Sequence, residues 1–315
     1  MNRFDIKYIY QGSERKKVFL MLDFRIKTFL SVCRHRNYTR AAEELSITQP
    51  AVTQHIQFLQ EYYNVKLFLY ANRQLTLTRE GEMLRDAATT MFHNEEKLKR
   101  DFRDLKAGHR AIRFGATRTI GEYVLPAQLA RFMKRNPTIR VHMEVENTET
   151  LLGMVDDGRL DFAIVEGYFR KGEYDCILWS REPFICVCAP DYPLPAPQPK
   201  LTDLMGERLI FRSSGSGSRA VLERTLEGRN HHLSDFEQLV EVSDLYAIKE
   251  LVKVGCGITF LYRRAAEREL EEGTLMEVPI QDFDVRHEFN FIWRKDSVFE
   301  ADFRMFCREL WPQNL

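Results

Sequence analysis

The sequence has 315 residues, more than a single hydrophobic core usually organises, so two or three domains are expected. Its 44% hydrophobic residues and mean hydropathy of −0.38 indicate a globular chain rather than a disordered or collagen-like one. No run of about 18 apolar residues is present, so no membrane-spanning helix is predicted. The six cysteines form no Cys-x-x-Cys pair and no secretory hydrophobic segment opens the chain, so a cytoplasmic location is expected.

The charges are balanced overall but unevenly distributed along the chain. Residues 1–80 contain 13 Lys and Arg against 7 Asp and Glu, and residues 81–108 contain 6 of each. Because the totals are 46 and 46, the remainder carries the compensating acidic excess. A basic segment of about 80 residues joined to a mildly acidic body indicates one part that meets a polyanion and another that does not.

Residues 1–22 show no clear helical or strand periodicity, and we predict a disordered N-terminal extension there. A start codon assigned too early would explain the same pattern. A basic arm that contacts DNA through Arg15, Lys16 and Lys17 is the alternative.

Residues 23–81 have the pattern of three short helices followed by a small hairpin. Thr39 is predicted to cap the second helix, and Thr48 the third. The third helix carries an apolar stripe at spacings of four and three, which must face inward. An alternating polar and apolar segment over 74–78 completes the order that is typical of a winged helix-turn-helix.

The outer face of the third helix carries the predicted DNA contacts. Amides and hydroxyls on that face can hydrogen-bond to base edges in the major groove, and nearby arginines can neutralise phosphates. A three-helix domain that merely exposes polar residues is the alternative. The predicted DNA-binding residues are Arg36, Thr39, Arg40, Thr48, Gln49, Pro50, Thr53, Gln54, Gln57 and Arg73.

Several motifs follow one another in this region without a gap. They include Thr39-x-Ala41-Ala42-x-x-Leu45, Thr48-Gln49-Pro50-Ala51-Val52-Thr53, Val65-x-Leu67-Phe68 and Leu77-Thr78-x-x-Gly81. This order and spacing resemble the DNA-binding domain of LysR-type transcriptional regulators. The resemblance implies a regulator of transcription that binds promoter DNA. Tyr70 and the Gln54-His55 pair depart from the family pattern, so no operator sequence is implied.

Residues 82–108 follow with apolar residues at alternating steps of four and three. This heptad predicts a long linker helix that dimerises, and its polar position Glu95 can set the register. A helix packed on its own domain is the alternative. The heptad positions are Leu84, Ala88, Met91, Glu95, Leu98, Phe102 and Leu105.

Residues 109–315 alternate strands and helices in two similar sets. The first set reads β-α-β-α-β, which predicts a parallel sheet with ligands beyond the carboxyl ends of its strands. We assign residues 111–166 and 284–315 to subdomain I and residues 167–283 to subdomain II. This pattern resembles the type 2 periplasmic-binding-protein-like effector domain of the same family. The fold class expected for the whole chain is α/β, with an all-α-plus-wing N-terminal domain.

Two hydroxyl-rich turns at helix starts form the predicted effector site. Their amides, hydroxyls and helix dipole suit a carboxylate, sulfate or phosphate. Glu166 would repel a bare anion but suit an ammonium, so a small acidic or zwitterionic metabolite is the expected effector. Turns that only cap their helices are the alternative. The predicted effector-binding residues are Thr117, Arg118, Thr119, Glu166, Ser213, Ser216 and Ser218.

The motif Thr-x-Thr-Ile-Gly-x-Tyr-x-Leu-Pro at residues 117–126 narrows the resemblance. It is similar to the LysR-type branch that controls cysteine synthesis or carbon fixation. The resemblance gives this family small-molecule control of its DNA binding.

The usual signatures of hydrolases, nucleotide-binding loops and zinc proteases are absent from the sequence. We therefore expect no enzyme activity, no cofactor and no metal. The expected partners are double-stranded promoter DNA, the effector, further copies of the chain in a dimer or tetramer, and RNA polymerase. The alternative function is a cytoplasmic small-molecule sensor of the same fold that does not act through DNA.

Overall fold

A computed structural model describes residues 22–71 and 74–311. Of the predicted N-terminal extension only Leu22 falls within these ranges, and Arg73 lies outside them. The chain divides into two compact units, of which the first ends at Glu95 and the second begins at Glu96. Across the described ranges, no helix combines the length and apolar character needed to cross a membrane.

The first unit contains three helices and an antiparallel hairpin, as the sequence predicts. Its core is apolar and lies between the three helices and the hairpin, with Phe29, Val52 and Ile56 almost fully buried. The elements are α1 (Phe24–His35), α2 (Tyr38–Leu45), α3 (Gln49–Tyr63), β1 (Phe68–Ala71) and β2 (Gln74–Leu77), followed by the long helix α4 (Arg79–Lys106).

Side-chain caps determine where two helices of this unit begin. Thr48 Oγ1 accepts a hydrogen bond from the amide of Ala51 at 3.3 Å, so the predicted cap of α3 is confirmed. The predicted cap of α2 at Thr39 is wrong. Asn37 caps α2 instead, because its side-chain oxygen accepts from the amides of Thr39 and Arg40 at 2.8 and 3.0 Å. The Thr39 side chain is therefore exposed and not needed for the helix.

The second unit is built on a seven-stranded mixed sheet in the order β10-β6-β11-β5-β3-β4, with β9 also paired to β6. A separate parallel pair, β7 and β8, lies beside it. The strands are β3 (Arg110–Thr117), β4 (Ile139–Glu146), β5 (Phe162–Glu166), β6 (Tyr174–Cys188), β7 (Arg208–Arg212), β8 (Gln238–Val242), β9 (Thr259–Tyr262), β10 (Met276–Glu277) and β11 (Val285–Arg294).

Helices cover both sheets of the second unit. A short π-helix, Ile120–Val124, precedes the first of them, and 3-10 turns lie at Leu201–Gly206 and Leu233–Asp235. The helices are α5 (Leu125–Arg135), α6 (Thr148–Asp156), α7 (Gly217–Glu227), α8 (Leu245–Lys253), α9 (Arg263–Glu271) and α10 (Glu300–Leu310).

Two lobes are visible in this unit. Lobe I contains β3, β4 and β5 with their helices, and β3 runs parallel to both neighbours as the sequence predicts. Lobe II contains β7, β8 and β9 with α7, α8 and α9. The long strands β6 and β11 belong to both lobes, because Tyr174 pairs with Arg294 near β5 while Phe184 pairs with Tyr262 of β9. The subdomain boundaries predicted at 167 and 284 do not anticipate this sharing.

A buried polar cluster ties the end of α4 to lobe I. Arg100 Nη2 donates to Asp161 Oδ1 at 2.7 Å, and the amide of Arg113 donates to Asp161 Oδ2 at 3.0 Å. Arg113 also pairs with Asp104 of α4 at 2.8 Å. Asp161 directly precedes β5, so α4 is fastened to the strand whose far end carries Glu166.

Candidate nucleic-acid interface and ligand site

The outer face of α3 presents hydrogen-bonding groups to solvent. Gln54 and Gln57 are exposed, and neither side chain has a hydrogen bond partner among the described residues. Gln49 is also exposed, but its amide donates to Thr53 Oγ1 at 3.0 Å. Gln54 and Gln57 are therefore the freest of the predicted base-reading residues.

The inner face of α3 fixes the direction in which these glutamines point. Val52, Ile56 and Leu59 are at most 3% exposed in the core of the first unit. His55, next to Gln54, is held by a 2.9 Å contact between its Nδ1 and Thr28 Oγ1, and its ring packs edge-on against Phe24. These contacts hold the rotation of α3, so its outer face is preorganised for a partner.

Basic residues surround this face. Arg36 and Arg40 are exposed and form no ion pair with the described residues. Arg36 has a left-handed backbone, with φ of 49°, at the end of α1, and the exposed residues Thr39 and Pro50 lie on the neighbouring helix ends.

The surroundings of the hairpin add one residue that the sequence did not single out. A groove of about 420 Å³ between the α1–α2 turn and the hairpin is lined by Arg36 and Tyr70, among others. Lys66, just before the hairpin, is exposed and has no ion pair within the described part of the chain. A lone basic residue ahead of a wing is a weak sequence signal, which is why it was missed.

The predicted effector residues converge where the two lobes meet. In lobe I, Thr117 ends β3, Thr119 follows it and Glu166 ends β5. In lobe II, Ser216 and Ser218 lie at the start of α7. These five side chains are only 1% to 6% exposed. These side chains therefore lie in the contact between the lobes and are largely shielded from solvent.

The remaining predicted effector residues are less enclosed. Ser213 is half-buried in the turn before α7. The Arg118 side chain is 37% exposed and lies 3.7 Å from Glu122. Neither residue is held in the buried contact between the lobes, so they lie at its edge.

Gly217 shows how closely the lobes approach. A Cβ atom at this position would lie 2.6 Å from the Glu166 carbonyl oxygen and 2.9 Å from its Cγ. Glycine is required there because any side chain would collide with backbone. The first turn of α7 thus packs directly on Glu166.

Hydrogen bonds inside this contact are incomplete. Thr119 Oγ1 donates to Glu166 Oε1 at 2.9 Å, and the Ser216 and Ser218 hydroxyls are 3.0 Å apart. No described residue lies within hydrogen-bond geometry of Glu166 Oε2 or Thr117 Oγ1, although the Thr117 hydroxyl acts on the Glu166 carboxyl and lowers its pKa. Because Thr119 donates its proton to Glu166, it cannot at the same time donate to a ligand anion.

Burial raises the pKa of Glu166 to about 7, although the Thr119 hydrogen bond and the positive charge of Arg212 oppose this rise. Arg212, the last residue of β7, is 7% exposed and was not among the predicted site residues. The sequence signal was a charged residue that ends an apolar strand directly before the serine-rich turn.

A cavity of about 590 Å³ adjoins this contact on the α6 and α7 side. It is lined partly by Thr148, Ser216 and Arg219, and the Arg224 guanidinium lies 3.4 Å above the ring of Tyr168. In the described ranges, no three His, Cys, Asp or Glu side chains are grouped as metal ligands would be.

Comparison with known proteins places these two sites in a family. Residues 25–82 match the bacterial regulatory helix-turn-helix protein model of the LysR family, and residues 106–313 match the LysR substrate binding domain. Together these models match most of the chain, including both candidate sites.

Individual relatives agree with this match. The RuBisCO operon transcriptional regulator of Allochromatium vinosum is 27% identical over 90% of this chain and 97% of its own. The regulator CysL of Bacillus subtilis is 28% identical over 85% of this chain and 89% of its own. These two names match the carbon-fixation and cysteine branches that residues 117–126 resemble.

A solved structure shows the same fold in the second unit. The regulatory domain of CcmR from Synechocystis, in complex with 2-PG, superposes with a TM-score of 0.58 at 20% identity, covering 65% of this chain and 99% of that one. The sequence match, the two matched domains and the shared fold lead to one conclusion. The chain belongs to the LysR family of transcriptional regulators.

Proposed function

We propose that this regulator reads a repeated operator sequence through α3 of two chains and that a small acidic or zwitterionic metabolite controls the outcome. The observation that carries the proposal is the outer face of α3. Gln54 and Gln57 are exposed on this face, Arg36 and Arg40 are exposed at the end of α1 and near the start of α2, and none of these side chains bonds to a described residue. Amides suit base edges and guanidinium groups suit phosphates.

The other predicted residues support this arrangement in different ways. Thr48 and Pro50 start α3, and Thr53 holds Gln49 in place. Thr39 is exposed beside them, and Arg73 is expected at the tip of the wing, outside the described residues. Contact with RNA polymerase belongs to the same proposal as the step by which operator binding changes transcription.

Selection from a random double-stranded DNA library with the full chain tests DNA reading. We expect enrichment of one sequence with two half-sites separated by about one helical turn or a multiple of it. The double variant Gln54→Ala/Gln57→Ala should lose this enrichment. Glu61→Ala, which alters an exposed residue at the other end of α3, should retain it. Failure of the wild-type chain to enrich any sequence would contradict DNA reading and favour a sensor that does not act through DNA.

Dimerisation is proposed through α4. Met91, Phe102 and Leu105, all heptad positions, are 56%, 61% and 67% exposed in the single chain. Such a row of apolar side chains is what a second copy of the helix would bury. Ala88 and Glu95 differ from the expectation for the seam, since they are 2% and 1% exposed within the single chain.

Leu98→Asp should therefore shift the chain from dimer towards monomer in analytical ultracentrifugation. Met83→Asp is the matched control, because Met83 is 66% exposed on the same helix but outside the heptad. Equal sedimentation of Leu98→Asp and wild type would contradict a dimer formed through this face of α4.

Effector control is proposed at the contact between the lobes, at Thr117, Arg118, Thr119, Glu166, Ser213, Ser216 and Ser218. It is supported by buried hydroxyls and carboxylate oxygens that come from both lobes and lack a full set of partners. Binding there would favour one arrangement of the lobes over another. Because Asp161 fastens α4 to β5, such a change would be transmitted to the linker helix.

A further inference from the structure

Arg212 is an unusual residue because its charge is largely buried and its Nε has no hydrogen bond partner among the described residues, although the charge of Glu166 acts on it. Its side chain ends β7, is 7% exposed and forms no hydrogen bond or ion pair with any described residue. Buried charges in proteins are normally paired, because an uncompensated charge in a poorly solvated site is strongly unfavourable. Burial accordingly lowers the pKa of Arg212. An anion that is absent from the protein itself is the natural partner.

The surroundings of Arg212 suit such an anion. Glu166, Glu122 and Asp244 affect it electrostatically, as does Arg118, but no described carboxylate lies within 4.0 Å of its guanidinium. The serine-rich turn that follows Arg212 leads into α7, whose first amides point out of the helix end. A carboxylate placed there would meet the guanidinium, these amides and the paired Ser216 and Ser218 hydroxyls.

Glu166 presents the opposite charge from lobe I. Its Oε1 is occupied by Thr119, whereas Oε2 is buried and has no partner among the described residues. A bare anion at Arg212 would be repelled by Glu166, and a bare cation at Glu166 would be repelled by Arg212. A ligand with both charges satisfies both groups.

We propose that Arg212 and Glu166 select a zwitterion of the α-amino-acid type, with its carboxylate on Arg212 and its ammonium group on Oε2 of Glu166. This inference rests on the proposed effector site and specifies its ligand class. It assigns the principal anion contact to Arg212 rather than to Thr119, whose proton is used by Glu166. The two residues come from different lobes, so the ligand would hold the lobes together.

The first experiment is a thermal-shift screen of the full chain with the twenty L-amino acids, followed by calorimetry on the best binder. Two analogues of the best binder serve as matched probes. One lacks the amino group and the other lacks the carboxylate. Each analogue should bind at least about 30-fold more weakly, because one buried charge is then left unpaired. If sulfate, phosphate or the deaminated acids bind more tightly than every amino acid, the ligand is not a zwitterion. Control by a small acid would remain consistent with that result. The proposal also fails if no amino acid binds.

Two variants assign the contacts. Arg212→Gln should weaken the binding of the best amino acid and of its deaminated acid to the same extent. Glu166→Gln should instead bind these two compounds with similar affinity. Without ligand, Arg212→Gln should unfold at a higher temperature than wild type, because an unpaired buried charge is removed. A lower unfolding temperature for Arg212→Gln would show that the protein already supplies a partner for Arg212 and would contradict the inference.

Discussion

The two units place their functional polar groups in opposite surroundings. In the first unit, Gln54 and Gln57 are exposed, so water can reach their amides. In the second unit, Glu166 and Arg212 are 2% and 7% exposed, and each has an atom without a partner. Water satisfies the exposed amides at no loss of stability, whereas the buried charges must be matched by other groups.

This difference teaches how each unit can respond to its surroundings. The outer face of α3 is stable without bound DNA, because the apolar side chains beneath it hold the helix in place. In the contact between the lobes, few groups compensate the buried charges. Binding of a proton or a ligand can therefore change the free energy of this contact substantially. We therefore expect substitutions in the second unit to change stability, and substitutions on α3 to change DNA binding alone.

Removal of Asp161 should have the largest effect. Asp161→Ala leaves the buried Arg100 without its partner, so we expect a loss of about 3–5 kcal/mol in the free energy of unfolding. Urea denaturation followed by tryptophan fluorescence measures this, because Trp179, Trp293 and Trp311 all lie in the second unit.

The matched control for Asp161 is Asp302→Ala. Its side chain is 51% exposed and lies 3.7 Å from Arg110, so its loss should lower the free energy of unfolding by at most about 1 kcal/mol. If both variants lost the same free energy of unfolding, the buried ion pair would contribute no more to stability than the exposed one, which would contradict this prediction.

Glu166 should make stability depend on pH. Its pKa rises from 4.5 to about 7 in the folded chain, so between these values the folded state holds a proton that the unfolded state releases. The ligand-free wild type should therefore lose about 3 kcal/mol of stability relative to Glu166→Gln as the pH rises from 4.5 to 7. Parallel pH profiles of the two proteins in urea denaturation would contradict burial of an ionisable Glu166.

A smaller effect is expected at Gly217. Gly217→Ala places a methyl group 2.6 Å from the Glu166 carbonyl oxygen, so the lobes must shift at an expected loss of about 1–3 kcal/mol. Gly153→Ala in α6 is the control, because nothing lies within 4 Å of its Cβ position and alanine favours a helix. Thermal unfolding should separate the two variants in opposite directions, and similar midpoints would contradict the close contact.

The first unit follows its sequence closely because periodicity and caps act over a few residues. The apolar stripe of α3 and the Thr48 cap predict its outer face directly. Thr39 was misassigned as a cap because Asn37 lies two residues earlier and caps the amides of Thr39 and Arg40, so the helix begins before Thr39. That error shifts the start of α2 and leaves the predicted DNA-facing residues unchanged.

The contact between the lobes is less predictable because its partners are distant in sequence. Thr119 and Glu166 are 47 residues apart, and no local pattern shows that one donates to the other. The Arg212 side chain forms no hydrogen bond or ion pair with a described residue, and only the folded environment reveals this. The long strand β6 is hard to recognise in the sequence, because it contains Pro183 and proline argues against a central strand.

Binding of Gln54→Ala to DNA tests the central claim most directly. The affinities of wild type, Gln54→Ala and Arg40→Ala are measured on the selected operator and on a scrambled duplex of equal length, at the same salt concentration. We predict that Gln54→Ala loses about 1–3 kcal/mol on the operator and nothing on the scrambled duplex, whereas Arg40→Ala weakens both alike. Equal losses of Gln54→Ala on both duplexes would contradict sequence reading by α3.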